Sequence, residues 1–193
     1  MHKRNLLILF IPAVLVLSLD QWSKWLIRTT PDLQNTTIID GWLRFYYTQN
    51  PGMALGIEWL STPVISTIAI LATLGILIYI LRGIEKANTA YLLCMGLIIG
   101  GALGNILDRI FMGYVEGYGG VLEGHVVDFI YFSLKIGDWT VFPYIFNVAD
   151  IGISAAIIAM ILFNKKVFGE HHVDESTTTV ESESGAPASP APE

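Results

Sequence analysis

The chain has 193 residues, of which 53% are hydrophobic and only 15% are charged, and its formal net charge is −6. Soluble globular proteins carry about 25% charged residues, and disordered chains combine low hydrophobicity with high charge, so both classes are excluded for the chain as a whole. The single cysteine, Cys94, excludes a disulfide framework within one chain. The acidic balance argues against a nucleic-acid-binding protein, and no such partner is expected.

Four apolar runs are long enough to cross a bilayer, which requires about 20 mostly apolar residues in a helix. Backbone groups in lipid must be hydrogen-bonded within the segment, so these runs are predicted to be transmembrane helices. The predicted helices cover 5–27, 63–81, 90–107 and 141–163. The first run has a basic start, as signal peptides do, but it ends at Asp20 without a small-residue cleavage site and is predicted to be retained.

The basic residues near the helix ends predict the orientation, because cytoplasmic loops carry the excess of Lys and Arg. Six of these residues fall on one side of the membrane in short segments: Lys3, Arg4, Arg82, Lys86, Lys165 and Lys166. Both termini are therefore predicted to be cytoplasmic, and the segments 28–62 and 108–140 are predicted to lie outside.

The outer segment between the first two helices has a composition typical of strands. Residues 37–48 are rich in β-branched and aromatic side chains and contain a turn signal at Asp40-Gly41. The predicted fold is an all-α integral membrane protein with four transmembrane helices and a small extracytoplasmic β-rich subdomain between helices 1 and 2.

The composition changes at residue 169. The segment 169–193 contains six acidic residues, no Lys or Arg, and a run of Ala, Pro and Ser, which predicts a disordered cytoplasmic tail after a membrane-embedded domain over 1–168. Removing those six from the total of 17 acidic residues leaves 11 against 11 basic residues in 1–168. The net charge therefore belongs to the tail.

Ionisable side chains in membrane segments are costly and usually mark function. Asn147, Asp150 and Ser154 share one face of the fourth predicted helix, and Asp150 is predicted about 10 Å below the helix start near Pro143. A polar seam between helices would explain the asparagine, whereas a buried carboxylate without a partner is costly, which favours a functional role. Asp128 fits a turn in a loop and a functional group equally well.

Further polar residues lie near the outer ends of helices 1 and 3. Asp20 and Lys24 are four residues apart, as are Asn105 and Arg109 with Asp108 between them, so each pair can meet on one helix face. For Lys24 the simpler interpretation is an interfacial ion pair whose ammonium group snorkels to water. All these residues are predicted to gather at one depth beneath the outer surface.

Two carboxylates close together in a low dielectric cannot both ionise easily, so one keeps a proton and the pair supplies an acid and a base. An aspartic protease uses such a pair to activate water and to protonate the amide. Asp128 and Asp150 are the natural pair, with Asp20 and Asp108 as alternatives. The sequence contains no His-Glu-x-x-His zinc motif, nucleophile elbow or phosphate-binding loop.

Five motifs on this four-helix plan resemble those of lipoprotein signal peptidase, also called signal peptidase II, a bacterial inner-membrane aspartic peptidase. In chain order they are Asp20-Gln21-x-x-Lys24, Asn50-x-Gly52-x-Ala54, Gly100-Gly101-Ala102-x-Gly104-Asn105-x-x-Asp108-Arg109, Val126-Val127-Asp128-Phe129 and Phe146-Asn147-x-Ala149-Asp150. The resemblance covers about residues 5–165. The chain departs from the family at Leu55, where an aromatic residue usually follows the alanine of the second motif.

The resemblance implies an enzyme that cleaves diacylglyceryl prolipoproteins just before the lipidated cysteine, with no metal or other cofactor. It implies that Asp128 and Asp150 are catalytic, and that the other motif residues line the substrate and inhibitor site: Asp20, Lys24, Asn50, Gly52, Asn105, Asp108, Arg109 and Asn147. It also implies contact with membrane lipids, inhibition by the cyclic peptide globomycin, and an active site near the periplasmic face of the inner membrane. The chain is expected to act as a monomer.

Two other functions stay open at this point. A small transporter or proton-conducting protein also uses intramembrane aspartates, but it would place polar residues through the whole membrane depth, and helix 2 has no charge. A lipoprotein scaffold without catalysis would tolerate carboxylate-to-amide changes. The glycine-rich segment 112–123 is predicted to be a flexible lid over the site.

Overall fold

The computed structural model describes residues 2–52, 60–132, 134–137, 139–140 and 144–168. The predicted tail 169–193 lies outside the described residues, as do Ala54 of the second motif, Leu55 after it, and residues 141–143 of the fourth predicted helix. In chain order the elements are α1 (His2–Thr29), a short 3-10 helix (Pro31–Leu33), β1 (Asn35–Ile39), β2 (Leu43–Asn50), α2 (Thr62–Gly83), α3 (Thr89–Val115), β3 (Val126–Phe132), β4 (Lys135–Ile136), β5 (Trp139–Thr140), β6 (Ile145–Phe146), α4 (Val148–Leu162) and α5 (Asn164–Phe168).

Within the described ranges, three helices are long and apolar enough to cross a membrane, namely α1, α2 and α3. Each contains the corresponding predicted helix, so three of the four predictions are confirmed. α3 continues past the predicted end at residue 107 to Val115. Asp108 and Arg109 therefore lie on α3 and not in the segment that follows it.

The fourth predicted helix is shorter than expected. α4 has 15 residues, and Ile145–Phe146, predicted as helical, form strand β6 instead. At 1.5 Å per residue α4 spans about 22 Å, less than the ~30 Å hydrocarbon core. The placement of Asp150 deep inside the helix is wrong, because Asn147 is the N-cap of α4 and puts Asp150 in its first turn.

α3 is the central helix and packs against α1, α2 and α4. Its glycines allow this close approach, since a Cβ added at Gly100 would lie 2.4 Å from the backbone oxygen of Ala13 in α1. A Cβ added at Gly101 would lie 2.6 Å from the backbone oxygen of Ala149 in α4. Neighbouring small residues therefore bring two helices onto adjacent faces of α3.

The strands predicted within 37–48 are present as β1 and β2, and Gly41 in the turn between them has a φ of +70°. They belong to a four-stranded antiparallel sheet with the order β1-β2-β3-β6. The prediction confined the β-rich part to the segment between helices 1 and 2, whereas half of the sheet comes from the segment between α3 and α4. β3 was missed because its pairing with β2 joins residues far apart in sequence, such as Asn50 and Val126.

Candidate active site

β3 carries Asp128 into the interior. Asp128 pairs with Thr48 of β2, and the residue is 4% exposed. One carboxylate oxygen accepts a hydrogen bond from Nδ2 of Asn147 at 2.7 Å, and the other accepts one from Nδ2 of Asn50 at 3.1 Å. Two neighbouring elements, β2 and the start of α4, thus fix this carboxylate from both sides.

Asp150 is positioned by the cap of α4. The backbone N–H of Asp150 donates to Oδ1 of Asn147 at 3.0 Å, and the backbone N–H of Asn147 donates to Oδ2 of Asp150 at 3.2 Å. This reciprocal pair is a capping box, which satisfies the free N–H groups at a helix start. The second carboxylate oxygen, Oδ1, accepts a hydrogen bond from Nδ2 of Asn105 in α3 at 3.0 Å.

Asn147 connects the two carboxylates, because its side chain donates to Asp128 while its backbone donates to Asp150. Burial, followed by repulsion from the negative charge of Asp150, raises the pKa of Asp128 to about 6. A carboxyl group in such an environment keeps its proton more readily than one in water. The structure therefore brings the predicted pair together in a setting that disfavours ionisation of both groups.

A buried ion network lies next to the pair. The Lys24 side chain is 3% exposed, and its Nζ lies 2.8 Å from Oδ2 of Asp20 and 2.8 Å from Oδ2 of Asp108. The same Nζ donates to Oδ1 of Asn105 at 2.9 Å. The simpler interpretation of Lys24, an ammonium group that snorkels to water, is wrong, because three oxygen acceptors inside the protein replace its hydration.

The two aspartates of this network also bind backbone groups. Oδ1 of Asp20 accepts from the backbone N–H of Ala149 at 2.9 Å, and Oδ2 of Asp108 accepts from that of Val127 at 3.1 Å. Gln21, which the sequence reasoning did not place in the site, donates to Oδ1 of Asp108 at 3.0 Å. Its position beside Asp20 in the first motif was the available signal. The network ties α1, α3, β3 and α4 together directly behind the carboxylates.

Arg109 places a cation near the carboxylate pair. Its guanidinium interacts electrostatically with Asp128 and Asp150, and its Nη1 is buried without a hydrogen-bond partner among the described residues. The loop after β2 approaches it closely, since a Cβ added at Gly52 would lie 3.2 Å from Nη1. Gly52 has a φ of +112°, and its N–H donates to Oδ1 of Asn50 at 2.9 Å. A side chain at this glycine would be strained and would crowd the guanidinium.

An apolar cavity of about 720 Å³ opens beside Asp150. It follows one face of α4, where Ile151 and Ile158 contribute to its wall, and it is closed on the sheet side by aromatic rings. Those rings belong to Trp42, Phe132 and Phe146. An apolar molecule in this cavity would lie directly against one carboxylate.

The glycine-rich segment is attached to α3. Its first residues, up to Val115, are the end of that helix. Beyond them the backbone N–H of Leu122 donates to the oxygen of Ile110 at 3.4 Å, and the oxygen of Leu122 accepts from Oγ of Ser66 at 2.9 Å. These contacts hold the segment to α3 and α2, and its role as a lid stays a prediction.

Residues 12–165 match the family model described as signal peptidase (SPase) II. The chain belongs to the signal peptidase II family. It is therefore a peptidase, and its apolar helices and bacterial relatives make it a bacterial membrane protein.

Individual relatives agree with this membership. The lipoprotein signal peptidase of Chlorobium phaeobacteroides (strain DSM 266 / SMG 266 / 2430) is 31% identical over 173 residues, which cover 87% of this chain and 96% of that protein. The lipoprotein signal peptidase of Pelodictyon phaeoclathratiforme is 33% identical over 162 residues, covering 81% and 89% of the two chains.

Solved structures share the fold. A bacterial membrane enzyme determined by the in meso method at 2.3 Å resolution has a TM-score of 0.61 at 27% identity, covering 88% of this chain and 93% of that one. A second one, determined by the same method at 1.9 Å, also has a TM-score of 0.61, at 30% identity, covering 85% and 94%.

The predicted site residues of this signal peptidase II family member fall into two groups. Asn50, Gly52, Asn105, Arg109 and Asn147 lie around the carboxylate pair. The other three, which are almost fully buried in the ion network behind it, are Asp20, Lys24 and Asp108. Within the described ranges, no group of three or more His, Cys, Asp or Glu residues is arranged to hold a metal ion.

Proposed function

We propose that the chain is an aspartic endopeptidase that removes signal peptides from diacylglyceryl-modified prolipoproteins by cleaving before the lipidated cysteine. The observation that carries this proposal is the connection of Asp128 to Asp150 through Asn147 in a member of the signal peptidase II family. Relatives at 31–33% identity are named lipoprotein signal peptidases, which supports the substrate class.

The two carboxyl groups take different parts in the reaction. Asp128, with its raised pKa of about 6, carries the shared proton. Asp150 lies in the first turn of α4, where the positive end of the helix dipole stabilises negative charge, and it acts as the base. It takes a proton from water as the water oxygen attacks the scissile carbonyl carbon. Asp128 gives its proton to the departing amide nitrogen as the carbon–nitrogen bond breaks.

The surrounding residues hold this geometry. Asn105 and Asn147 orient the carboxylates, and the buried network of Asp20, Lys24 and Asp108 fixes the elements that carry them. Arg109, whose Nη1 has no partner among the described residues, is placed to donate a hydrogen bond to a carbonyl oxygen of the substrate main chain. Preorganised donors and charges of this kind stabilise a transition state without reorganisation during the reaction.

The apolar cavity beside Asp150 takes the acyl chains of the modified cysteine. Its volume of about 720 Å³ lies within the ~300–1,000 Å³ usual for sites that bury small ligands. Its walls are almost wholly apolar, so the chains would gain hydrophobic stabilisation while the reacting amide stays next to the carboxylate. Globomycin would inhibit by occupying the same site, and the chain would act as a monomer with no cofactor.

The site lies near the periplasmic face of the bacterial inner membrane, and both termini are cytoplasmic. The distribution of Lys and Arg in short segments supports this orientation. The exposed tryptophans around the sheet and the end of α1 support a site close to a membrane surface, since such rings prefer the headgroup level: Trp22, Trp25, Trp42 and Trp139.

The test is cleavage of a diacylglyceryl prolipoprotein by the purified full-length chain, read as a gel shift with and without globomycin. Asp128→Asn and Asp150→Asn keep side-chain volume but remove the acid or the base, so each should slow cleavage by about 10²–10⁴-fold. Asp32→Asn, at an exposed site in the 3-10 helix, is the matched control and should cleave normally. Normal cleavage by either active-site variant would contradict the proposal, and it is the outcome that a scaffold without catalysis predicts.

A further inference from the structure

A second cavity, of about 520 Å³, lies at the end of the helix bundle opposite the carboxylates. The last turn of α2, the connection to α3, the first turn of α3 and the end of α5 line it. Arg82 and Lys86 contribute positive charge, and Tyr79, Asn88 and Tyr91 contribute polar groups. The proposed peptidase mechanism uses none of these residues.

We call this pocket the basic cavity; its residues include Tyr79, Arg82, Lys86, Asn88 and Tyr91. Contacts within the protein fix the side of it that is formed by α3 and α5. Asn88 caps α3 by accepting from the backbone N–H of Tyr91 at 2.8 Å, and its Nδ2 donates to the backbone oxygen of Val167 at 2.7 Å. The ring of Phe168 packs against Tyr91 edge to face, with 6.1 Å between centroids. The cavity is therefore a formed feature of the fold.

The charges that the described residues bring to the basic cavity have one sign. Within the described ranges its lining contains Arg82 and Lys86 and no carboxylate. The carboxylate next to them in sequence, Glu85, lies outside the lining and contacts Nδ1 of His2 at 3.5 Å. An anionic group entering the cavity would meet the two cations Arg82 and Lys86.

The basic cavity lies at the level expected for lipid headgroups, about one hydrocarbon thickness from the carboxylate end of the bundle. Asn88 and Asp108 are both on α3 and are 20 residues apart, which corresponds to about 30 Å along a helix. That distance matches the hydrocarbon thickness of a bilayer. Between the basic cavity and the end of the bundle that carries the carboxylates, α2 exposes apolar side chains, including Leu71, Leu74 and Ile78.

We propose that the basic cavity binds the phosphate headgroup of an anionic membrane lipid, with the acyl chains lying along the exposed face of α2. Arg82 and Lys86 contact the phosphate, and the tyrosines contact the glycerol region at the interface. Basic pockets between transmembrane helices recognise anionic lipids in this way. This site is separate from the cavity that would take the substrate's acyl chains.

The experiment measures binding of phosphatidylglycerol and of phosphatidylcholine to the purified full-length chain by native mass spectrometry. Each basic group near a membrane surface contributes about a fivefold factor, so Arg82→Gln with Lys86→Gln should weaken phosphatidylglycerol binding about thirtyfold. Lys165→Gln with Lys166→Gln is the matched control, because both side chains are exposed at the same end, carry the same charge and lie outside the cavity lining. The control double variant should bind phosphatidylglycerol about as the unmodified chain does. Binding of phosphatidylcholine should change little in either double variant.

Three results would overturn the proposal. Equal weakening by the two double variants would show diffuse attraction to a basic surface. Equal binding of the two lipids by the unmodified chain would show that the cavity does not select charge. Full displacement of phosphatidylglycerol by inorganic phosphate at matched concentration would show a site for a soluble anion. Cleavage of prolipoprotein by both double variants at the unmodified rate verifies their folding, and the lipid readout does not depend on the proposed catalytic mechanism.

Discussion

Asp128 is a single residue whose surroundings predict a pH dependence. Burial and the charge of Asp150 raise its pKa to about 6, so above that pH Asp128 of the free enzyme is ionised and has no proton for the leaving nitrogen. We expect kcat/KM for a diacylglyceryl substrate to fall about tenfold per pH unit above pH ~6, because kcat/KM follows the ionisation of the free enzyme. The measurement is a pH–rate profile under conditions of low substrate.

The Asn50 side chain allows a test of whether Asp128 is the acid whose ionisation lowers kcat/KM. Its hydrogen bond to Asp128 lowers the pKa of this carboxyl group, so Asn50→Ala should move the descending limb of the profile to higher pH. Gln49→Ala is the control, because Gln49 donates to the hydroxyl of Tyr47 instead. A limb that stays in place or moves to lower pH in Asn50→Ala would contradict the role of Asp128 as the acid.

The contact between α1 and α3 predicts a stability effect at the scale of elements. Gly100→Ala would place a Cβ 2.4 Å from the backbone oxygen of Ala13, and backbone cannot rotate away as a side chain can. Overpacking of this kind costs about 1–3 kcal/mol, so the apparent Tm of the purified protein should fall. Gly75→Ala in α2 meets nothing within 4 Å, and its better helix propensity should leave Tm unchanged or raised. A lower Tm for Gly75→Ala, or an unchanged Tm for Gly100→Ala, would contradict the prediction that the contact between α1 and α3 determines this stability effect.

The elements that the sequence predicted well are those with a local signal. A run of about 20 apolar residues defines α1, α2 and α3 without knowledge of neighbours, and the Asp40-Gly41 turn identifies the β1–β2 hairpin. The start of α4 was misplaced because strand β6 and the helix are both apolar, and only the cap at Asn147 separates them. Periodicity alone does not distinguish such short apolar strands from buried helix.

In the site, too, contacts between residues close in sequence could be predicted, and contacts between distant residues could not. Helical spacing predicted that Asp20 could pair with Lys24, and the pair is present. The second partner, Asp108, comes from α3, so the full burial of Lys24 depends on a contact that spacing cannot reveal. Asp128 was ambiguous for the same reason, since its partners Asn50 and Asn147 lie on other elements.

At the scale of the whole molecule, the path of the chain bears on how often it is predicted to cross the membrane. α4 begins at the carboxylate pair, and α5 ends against Asn88 at the start of α3. Together they run from the level of Asp108 to the other end of α3, although α4 alone spans only about 22 Å. Four crossings, as the four apolar runs predict, stay a prediction that this path supports, and on that prediction Lys3 and Lys165 lie on one side with the β1–β2 turn on the other.

Cysteine labelling of intact cells tests this path. After Cys94→Ala removes the single native thiol, one cysteine is introduced by Lys3→Cys, Asp40→Cys or Lys165→Cys, all at exposed positions. A membrane-impermeant maleimide added outside should label the Asp40→Cys protein in cells with a permeabilised outer membrane, and it should label the other two only after lysis. Labelling of Lys165→Cys from outside would mean an odd number of crossings, and the basic cavity could not then form at one end of the bundle. Labelling of Lys3→Cys and Lys165→Cys without Asp40→Cys would reverse the orientation and place the carboxylate pair on the cytoplasmic side.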